Sequence, residues 1–222
     1  MNKGRKYDAI IFDLDGTLLD TSDGIVKCVE HASSILNLPK LPMERKLSFV
    51  GPPLLESFKR EFALNEPKAK KAVEVYRKRY SEEGLFEASV YDGMKELLFY
   101  LKEKGYLLAV ATLKREDFAK RILEHFQLSA FFDVIVGIDN DDSLTKADTI
   151  RLALDKIGVS NVNKVLMVGD SEYDKVGADL IGVDFCAVMY GFGFKKECGI
   201  YYNYEINEPL DLMNEDILSN TN

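Results

Sequence analysis

Apolar and polar positions follow two rhythms along this chain. A short apolar run, Ala9-Ile10-Ile11-Phe12, comes first and is followed closely by Gly16-Thr17. Its Ile and Phe content and the turn behind it read as a strand of a parallel sheet covered on both faces. From there to about residue 87 the spacing is helical. Thr21 or Ser22 can cap a helix carrying Ile25, Val29, Ala32 and Leu36, ended by Asn37-Leu38-Pro39. A loop runs past Pro42 to Gly51-Pro52-Pro53, and Leu54, Leu55, Phe58 and Phe62 mark a second helix. Asn65-Glu66-Pro67 opens a third, with Ala72, Val73, Tyr76 and Tyr80 on one face.

From Tyr91 strands and helices alternate. Asp92 can cap a helix carrying Met94, Leu97, Leu98 and Leu101 that stops at Gly105. The runs Leu107–Ala111, Val134–Val136, Val165–Val168 and Phe185–Val188 read as strands, each followed or preceded by a helical pattern. An acidic loop, Asp139-Asn140-Asp141-Asp142, leads into the helix that begins near Lys146. Such alternation predicts βαβ units and a parallel sheet. The expected organisation is an α/β core domain of residues 1–19 and 88–222. An all-α domain of residues 20–87 is inserted in it, as a lid over the end of the first strand. Tyr201-Tyr202-Asn203-Tyr204 reads as an edge strand, Leu210 to Leu218 as a last helix, and Ser219 to Asn222 as a disordered tail.

Composition narrows the class. The chain has 222 residues, 46% of them hydrophobic, enough for a sizeable core. A net charge of -8 argues against non-specific binding to nucleic acid or to an anionic membrane. It also requires that a site for an anionic substrate gather positive charge locally. Cys28, Cys186 and Cys198 show no disulfide framework or zinc spacing and read as free thiols of a cytoplasmic protein. With His31 and His125 the only histidines, a histidine metal site is not expected. No apolar stretch approaches the ~20 residues that span a bilayer, and the basic start Met1 to Lys6 lacks the long apolar run of a signal peptide.

The strand ends carry the candidate chemistry. The first is followed by Asp13-Leu14-Asp15-Gly16-Thr17, at the edge where open α/β sheets bind ligands. If the strand continues, residues two apart place Asp13 and Asp15 on one side. If the turn begins at Leu14, they are aimed differently. Two acids so close favour a cation between them or a proton on one. Thr112 ends the second strand, Lys146 opens the helix after the third, and Asp170, with Asp174 four residues on, ends the fourth. Each alone is unremarkable; together they make a phosphate-handling set.

The run Asp13 to Thr17, with Thr112, Lys146 and Gly169-Asp170-Ser171-Glu172-Tyr173-Asp174, resembles the four motifs of the haloacid dehalogenase superfamily of phosphotransferases. The likeness covers nearly the whole chain. It implies a Rossmann-like core with a central parallel sheet flanked by helices, plus a small helical cap. Val50-Gly51-Pro52-Pro53-Leu54 and Tyr190-Gly191-Phe192-Gly193 are similar to the phosphoglycolate phosphatase-like group. The chain departs from the pattern at Leu113, where Asn or Ser is frequent, and at Ala147, where Pro is common. Lys146 is taken as the phosphate lysine on spacing, although Lys114 is near.

The resemblance implies a magnesium-dependent phosphatase acting on a small phosphorylated metabolite as a monomer or homodimer. Asp13 is the expected nucleophile, forming an aspartyl phosphate. Asp15 is the expected general acid and then base. Mg²⁺ falls to Asp13, the main-chain carbonyl of Asp15 and Asp170, with Asp174 orienting water or Lys146. Thr112 and Lys146 bind the phosphoryl group. Arg45, Lys46 and Gly51 are the cap candidates for substrate specificity, the two cations for a second anionic group on the substrate. A β-phosphoglucomutase-like phosphotransferase, a pyrophosphatase and a nucleotidase remain open on the same residues. A dehalogenase is disfavoured by the acid at Asp15, and a phosphonatase by the lack of a distinguished cap lysine, Lys27 being the nearest candidate. An idle binding module is disfavoured because no motif acid is missing.

Overall fold

The structure, a computed structural model, describes residues 4–139, 143–194 and 201–219. The chain opens with strands β1 (Ala9–Phe12) and β2 (Leu19–Asp20). Four helices follow, α1 (Ser22–Ile35), α2 (Met43–Leu47), α3 (Leu54–Phe62) and α4 (Glu66–Glu82), and the chain then returns through β3 (Ser89–Val90). The remainder alternates: α5 (Met94–Glu103), β4 (Leu107–Arg115), α6 (Glu116–His125), β5 (Val134–Ile138), α7 (Lys146–Ile157) and β6 (Val165–Gly169). It ends with α8 (Glu172–Ile181), β7 (Asp184–Val188), β8 (Tyr204–Ile206) and α9 (Glu215–Leu218). A six-stranded parallel sheet has the order β5-β4-β1-β6-β7-β8.

Why the first run forms the central strand is visible in its burial. All four residues of β1 are fully buried. Ile10 and Phe12 pack on one side of the sheet and Ala9 and Ile11 on the other, as period-two alternation requires. Phe12 pairs with Val110 of β4 and Val168 of β6, so three strand ends are level. The chain moves outward from β1 on one side through β4 and β5, then crosses to β6 on the other. That reversal makes the carboxyl end of β1 a topological switch point, where α/β sheets bind ligands.

The helical insert leaves and re-enters the core through β2 and β3, two-residue strands paired antiparallel to each other. A backbone bond from Gly24 to Glu87 (2.9 Å) ties the two crossings together just beyond them. Gly24 has to be glycine, because any Cβ there would collide with the main chain at Gly84. An aromatic row joins insert to core. Phe58 meets Tyr76, Tyr76 stacks on Tyr80 at 5.4 Å, and Tyr80 meets Phe118 of α6 edge-on at 5.7 Å.

Several local expectations change. The loop after Pro39 contains α2. Thr21 stands at the start of α1 but makes no side-chain cap there; its hydroxyl is turned to donate to Asp15 (2.5 Å). Gly93, at φ 78°, rather than Asp92, precedes α5. Strand β4 continues past Thr112 to Arg115, with its pairing register broken after Ala111. The edge strand starts only at Tyr204, and the expected last helix is a 3₁₀ turn (Pro209–Met213) followed by α9. Ser219 is not loose: it pairs with Arg5. Asn220 to Asn222, Asn140 to Asp142, Cys198 and Gly199 lie outside the described residues. Among the described residues no helix is long and apolar enough to cross a membrane.

Candidate active site

The site is built at the level end of β1, β4 and β6. Asp13 is the first residue past β1, and its N–H still donates to Val168 (2.9 Å), which fixes its direction. The strand then stops. Backbone bonds within Leu14–Leu19 form a tight loop, with Gly16 at φ 79°. Of the two sequence alternatives for the acids, the second holds. Their side chains face different partners because Asp15 is no longer on a strand.

Asp13 accepts from Lys146 Nζ at 2.5 Å. Lys146 opens α7, whose N-terminus is set by a reciprocal cap between Thr145 and Asp148. Its stem crosses Gly177 of α8 so closely that a Cβ there would meet its Cγ at 2.8 Å. The same ammonium lies 2.6 Å from Asp174 Oδ1. Asp174 does two things at once. One oxygen closes a capping box with Ser171 (2.6 Å to the hydroxyl, 3.0 Å to the N–H), and the other faces Lys146. A local helix-start signal thereby fixes a site carboxylate.

Asp170 follows β6. Its carboxylate accepts from the N–H groups of Phe192 (2.7 Å) and Gly193 (3.3 Å). It is wedged between Gly16 and Gly191, where a Cβ on either would overlap it. This explains the stretch Tyr190-Gly191-Phe192-Gly193: it is the backbone cradle of Asp170. Tyr190 closes the cradle by donating to the carbonyl of Thr17 (3.0 Å).

One carboxylate oxygen each from Asp13, Asp170 and Asp174 lies within 4.8 Å of the others, and all three residues are buried. Asp13 and Asp174 share the Lys146 ammonium, and Asp170 stands beside them with two N–H donors. Burial pushes the Asp13 carboxyl up to about 7 against the pull of Lys146. Asp170 is driven well above the usual carboxylate range by burial, then by Asp174 and Asp13, against its two N–H donors. Buried oxygens that resist ionisation in one another's company fit a hard dication such as Mg²⁺. Asp15 belongs to a second cluster. It accepts from Thr21 (2.5 Å) and lies 3.0 Å from Lys114 Nζ. That ammonium also donates to Tyr80 (2.7 Å) of the insert and sits over its ring.

Thr112 is buried in β4 at the break in its pairing, and its hydroxyl accepts from the N–H of Lys114 (3.2 Å). Gly51 lines a small cavity beside Asp15. Arg45 and Lys46 are not brought to that cavity: Arg45 pairs with Glu61 (2.7 Å) and Lys46 with Glu30. Thr21, Tyr80 and the Phe192–Gly193 N–H groups are site residues the sequence reading missed. In sequence Thr21 carries only a helix-cap signal and Tyr80 only a place on one helix face, and the turn glycines alone signal the cradle.

The sequence profile of the haloacid dehalogenase-like hydrolases matches residues 10–188. The chain is 40% identical over 193 residues to a 5'-nucleotidase of Pseudomonas aeruginosa, covering 86% of this chain and 87% of that one. It is 30% identical over 204 residues to a phosphoglycolate phosphatase of Aquifex aeolicus, covering 92% and 94%. Among solved structures, a predicted phosphatase from Clostridium acetobutylicum superimposes with a TM-score of 0.86 at 40% identity, covering 93% of this chain and 96% of that one.

Proposed function

The chain belongs to the haloacid dehalogenase-like hydrolases and is a phosphatase; on that premise we propose that it hydrolyses a small phosphate monoester, with Mg²⁺, through an aspartyl phosphate on Asp13. The observation that carries this reading is the trio of buried acids at the end of the central strand, two of them paired with Lys146. Asp13, Asp170 and Asp174 would hold the ion, with the Asp15 carbonyl as a further ligand. Bound there, Mg²⁺ supplies Lewis-acid neutralisation of the phosphoryl oxygens.

The protein's own groups account for the rest. An oxygen of Asp13 attacks phosphorus while Lys146 and Thr112 hold the phosphoryl oxygens. The leaving oxygen takes a proton from Asp15, which must therefore carry one when substrate is bound and give up its ion pair with Lys114. In the second half Asp15 receives a proton from the water that cleaves the aspartyl phosphate. General acid catalysis of this kind is worth about 10²–10⁴-fold. Residues 20–87 act as the cap domain over a core of residues 1–19 and 88–222, closing on β2 and β3 to exclude bulk water. Buried, unpaired Cys28 and Cys186 suit a reducing cytoplasm.

The cavity beside Asp15 measures about 60 Å³. Its wall includes Tyr76 and Tyr80 of the insert, so the position of the insert sets how large a leaving group it takes. The test is hydrolysis of an aryl phosphate with magnesium, with chelator and with Asp13→Asn. Turnover that needs both magnesium and Asp13 is expected. Turnover surviving Asp13→Asn would overturn the reading. Transfer to a sugar phosphate instead of water would point to a mutase.

A further inference from the structure

We infer that Tyr190 and Tyr91 are positioning residues for the metal site. The Tyr190 hydroxyl ties the loop that carries Asp15 to the cradle of Asp170, and the Tyr91 ring, at the return crossing of the helical insert, holds Tyr190 to that bond. This rests on the phosphatase reading above and adds two residues to its site.

Strand pairing fixes only part of the site. The main chain of Asp13 is held, since its N–H donates to Val168. The Asp15 carbonyl lies beyond the strand, in the loop Leu14–Leu19. The N–H groups of Leu18 and Leu19 donate to Leu14 and that of Gly16 to Leu19, so these bonds close the loop on itself. Asp170 takes its direction from the N–H groups of Phe192 and Gly193, in the segment after β7. The two loops meet at glycines. A Cβ on Gly191 would stand 2.6 Å from the Gly16 carbonyl oxygen, and one on Gly16 would stand 3.1 Å from the Phe192 ring. Such contacts set how near the loops come, but they do not stop one from sliding on the other. A hydrogen bond does, because it is directional. Tyr190 supplies it, donating from the cradle to the carbonyl of Thr17 (3.0 Å).

Tyr91 reaches Tyr190 from the side of the insert. It directly follows β3, whose Val90 pairs with Leu19, where the Asp15 loop ends. Its ring meets that of Tyr190 edge-on, at 4.7 Å and 63°, an attractive arrangement for two aromatic rings. Both rings pack, partly buried, against the main core. The Tyr91 hydroxyl is buried and has no hydrogen-bond partner. A buried hydroxyl in that state costs stability. Tyr91 therefore serves through its ring, whereas Tyr190 serves through its hydroxyl. The two tyrosines should respond in opposite ways to losing the oxygen, which separates positioning from packing.

The experiment reads metal affinity without turnover. Mn²⁺, which shares with Mg²⁺ a preference for oxygen ligands, is titrated into the full chain, and the free ion is counted by its EPR signal. Tyr190→Phe should weaken binding about tenfold, the low end of the range for groups that orient metal ligands. It should raise by the same factor the magnesium needed for half-maximal hydrolysis of an aryl phosphate, with KM for the ester at saturating magnesium unaltered. Tyr91→Leu should weaken Mn²⁺ binding likewise. The double variant should be little weaker than either single, because Tyr91 acts through Tyr190. Tyr91→Phe should keep the wild-type affinity and melt at a higher temperature in chelator. An affinity unaltered in Tyr190→Phe, or lost in Tyr91→Phe as much as in Tyr91→Leu, would overturn the inference alone. Wild-type protein that binds no Mn²⁺ would overturn it too and, if it also hydrolyses nothing, would overturn the phosphatase reading as well.

Discussion

Lys114 Nζ lies 3.0 Å from Asp15 Oδ1 and 2.7 Å from the Tyr80 hydroxyl, so one buried ammonium joins the catalytic loop to the helical insert. Burial works against its charge, but Asp15 and Tyr80 outweigh that and raise its pKa. Removing one member of such a set leaves a buried charge uncompensated, at about 3–5 kcal/mol. Lys114→Met should therefore lower stability by several kcal/mol, softened by the Thr21 hydroxyl that Asp15 keeps. Tyr80→Phe should cost about 1 kcal/mol. Urea unfolding of both single variants and the double should give a coupling energy above ~0.5 kcal/mol. Simple additivity would mean the two side chains act independently.

Asp15→Asn should separate substrates by leaving group. On a poor alkyl leaving group kcat should fall by about 10²–10⁴, and on a good aryl leaving group by less than about tenfold. Steady-state rates on an ethyl and a nitrophenyl ester check this. Equal losses on both would remove Asp15 as the acid.

Asp13 should trade stability for chemistry. Its carboxyl, at about 7 in the metal-free protein against an ordinary 3.8, binds its proton more tightly folded than unfolded. Stability from this group is thus full below the unfolded value and is lost as pH rises through about 7. Asp13→Asn should raise the melting temperature of the metal-free protein at pH 8 and leave it nearly unaltered near pH 4. At ~2–4 °C per kcal/mol for a chain of this size, the gain should be several degrees. Mg²⁺ should raise the wild-type Tm at pH 8 and do so much less in the variant. Thermal melts at the two pH values, with and without magnesium, decide it.

Gly191→Ala should weaken metal binding without touching an acid. A Cβ at this position would overlap the Asp170 side chain and crowd the Gly16 carbonyl. The carboxylate must shift, and we expect magnesium activation to need at least tenfold more ion, in line with the 10–100-fold losses typical of groups that orient metal ligands. Titrating activity against free magnesium measures this; an unaltered midpoint would show that Asp170 tolerates displacement.

The parallel sheet and the acids at its edge were legible because both are local signals. Unbroken apolar runs mark buried strands, and Asp13, Asp170 and Asp174 immediately follow strands or open a helix. A threonine before a helix usually caps it, yet the rotamer of Thr21 turns its hydroxyl toward the buried carboxylate six residues upstream, a contact that no local pattern reports. The Lys114–Tyr80 contact was illegible because it joins positions 34 residues apart on different elements, and no periodicity reports which core tyrosine turns its hydroxyl outward. Arg45 and Lys46 looked available in sequence because their partners, Glu61 and Glu30, lie on neighbouring helices.

The insert departs at Leu19–Asp20 and returns at Ser89–Val90 as hydrogen-bonded neighbours. The gap that any segment must bridge here is therefore one strand spacing wide, whatever the segment's own size. A replacement segment could cross that gap while β1 and the Asp13 loop keep their register, but it would also have to supply what Tyr80 gives to Lys114 and Phe118. The covalent crossing is thus two short strands, while the grip of the insert on the core lies elsewhere, at Tyr80 against Lys114 and Phe118.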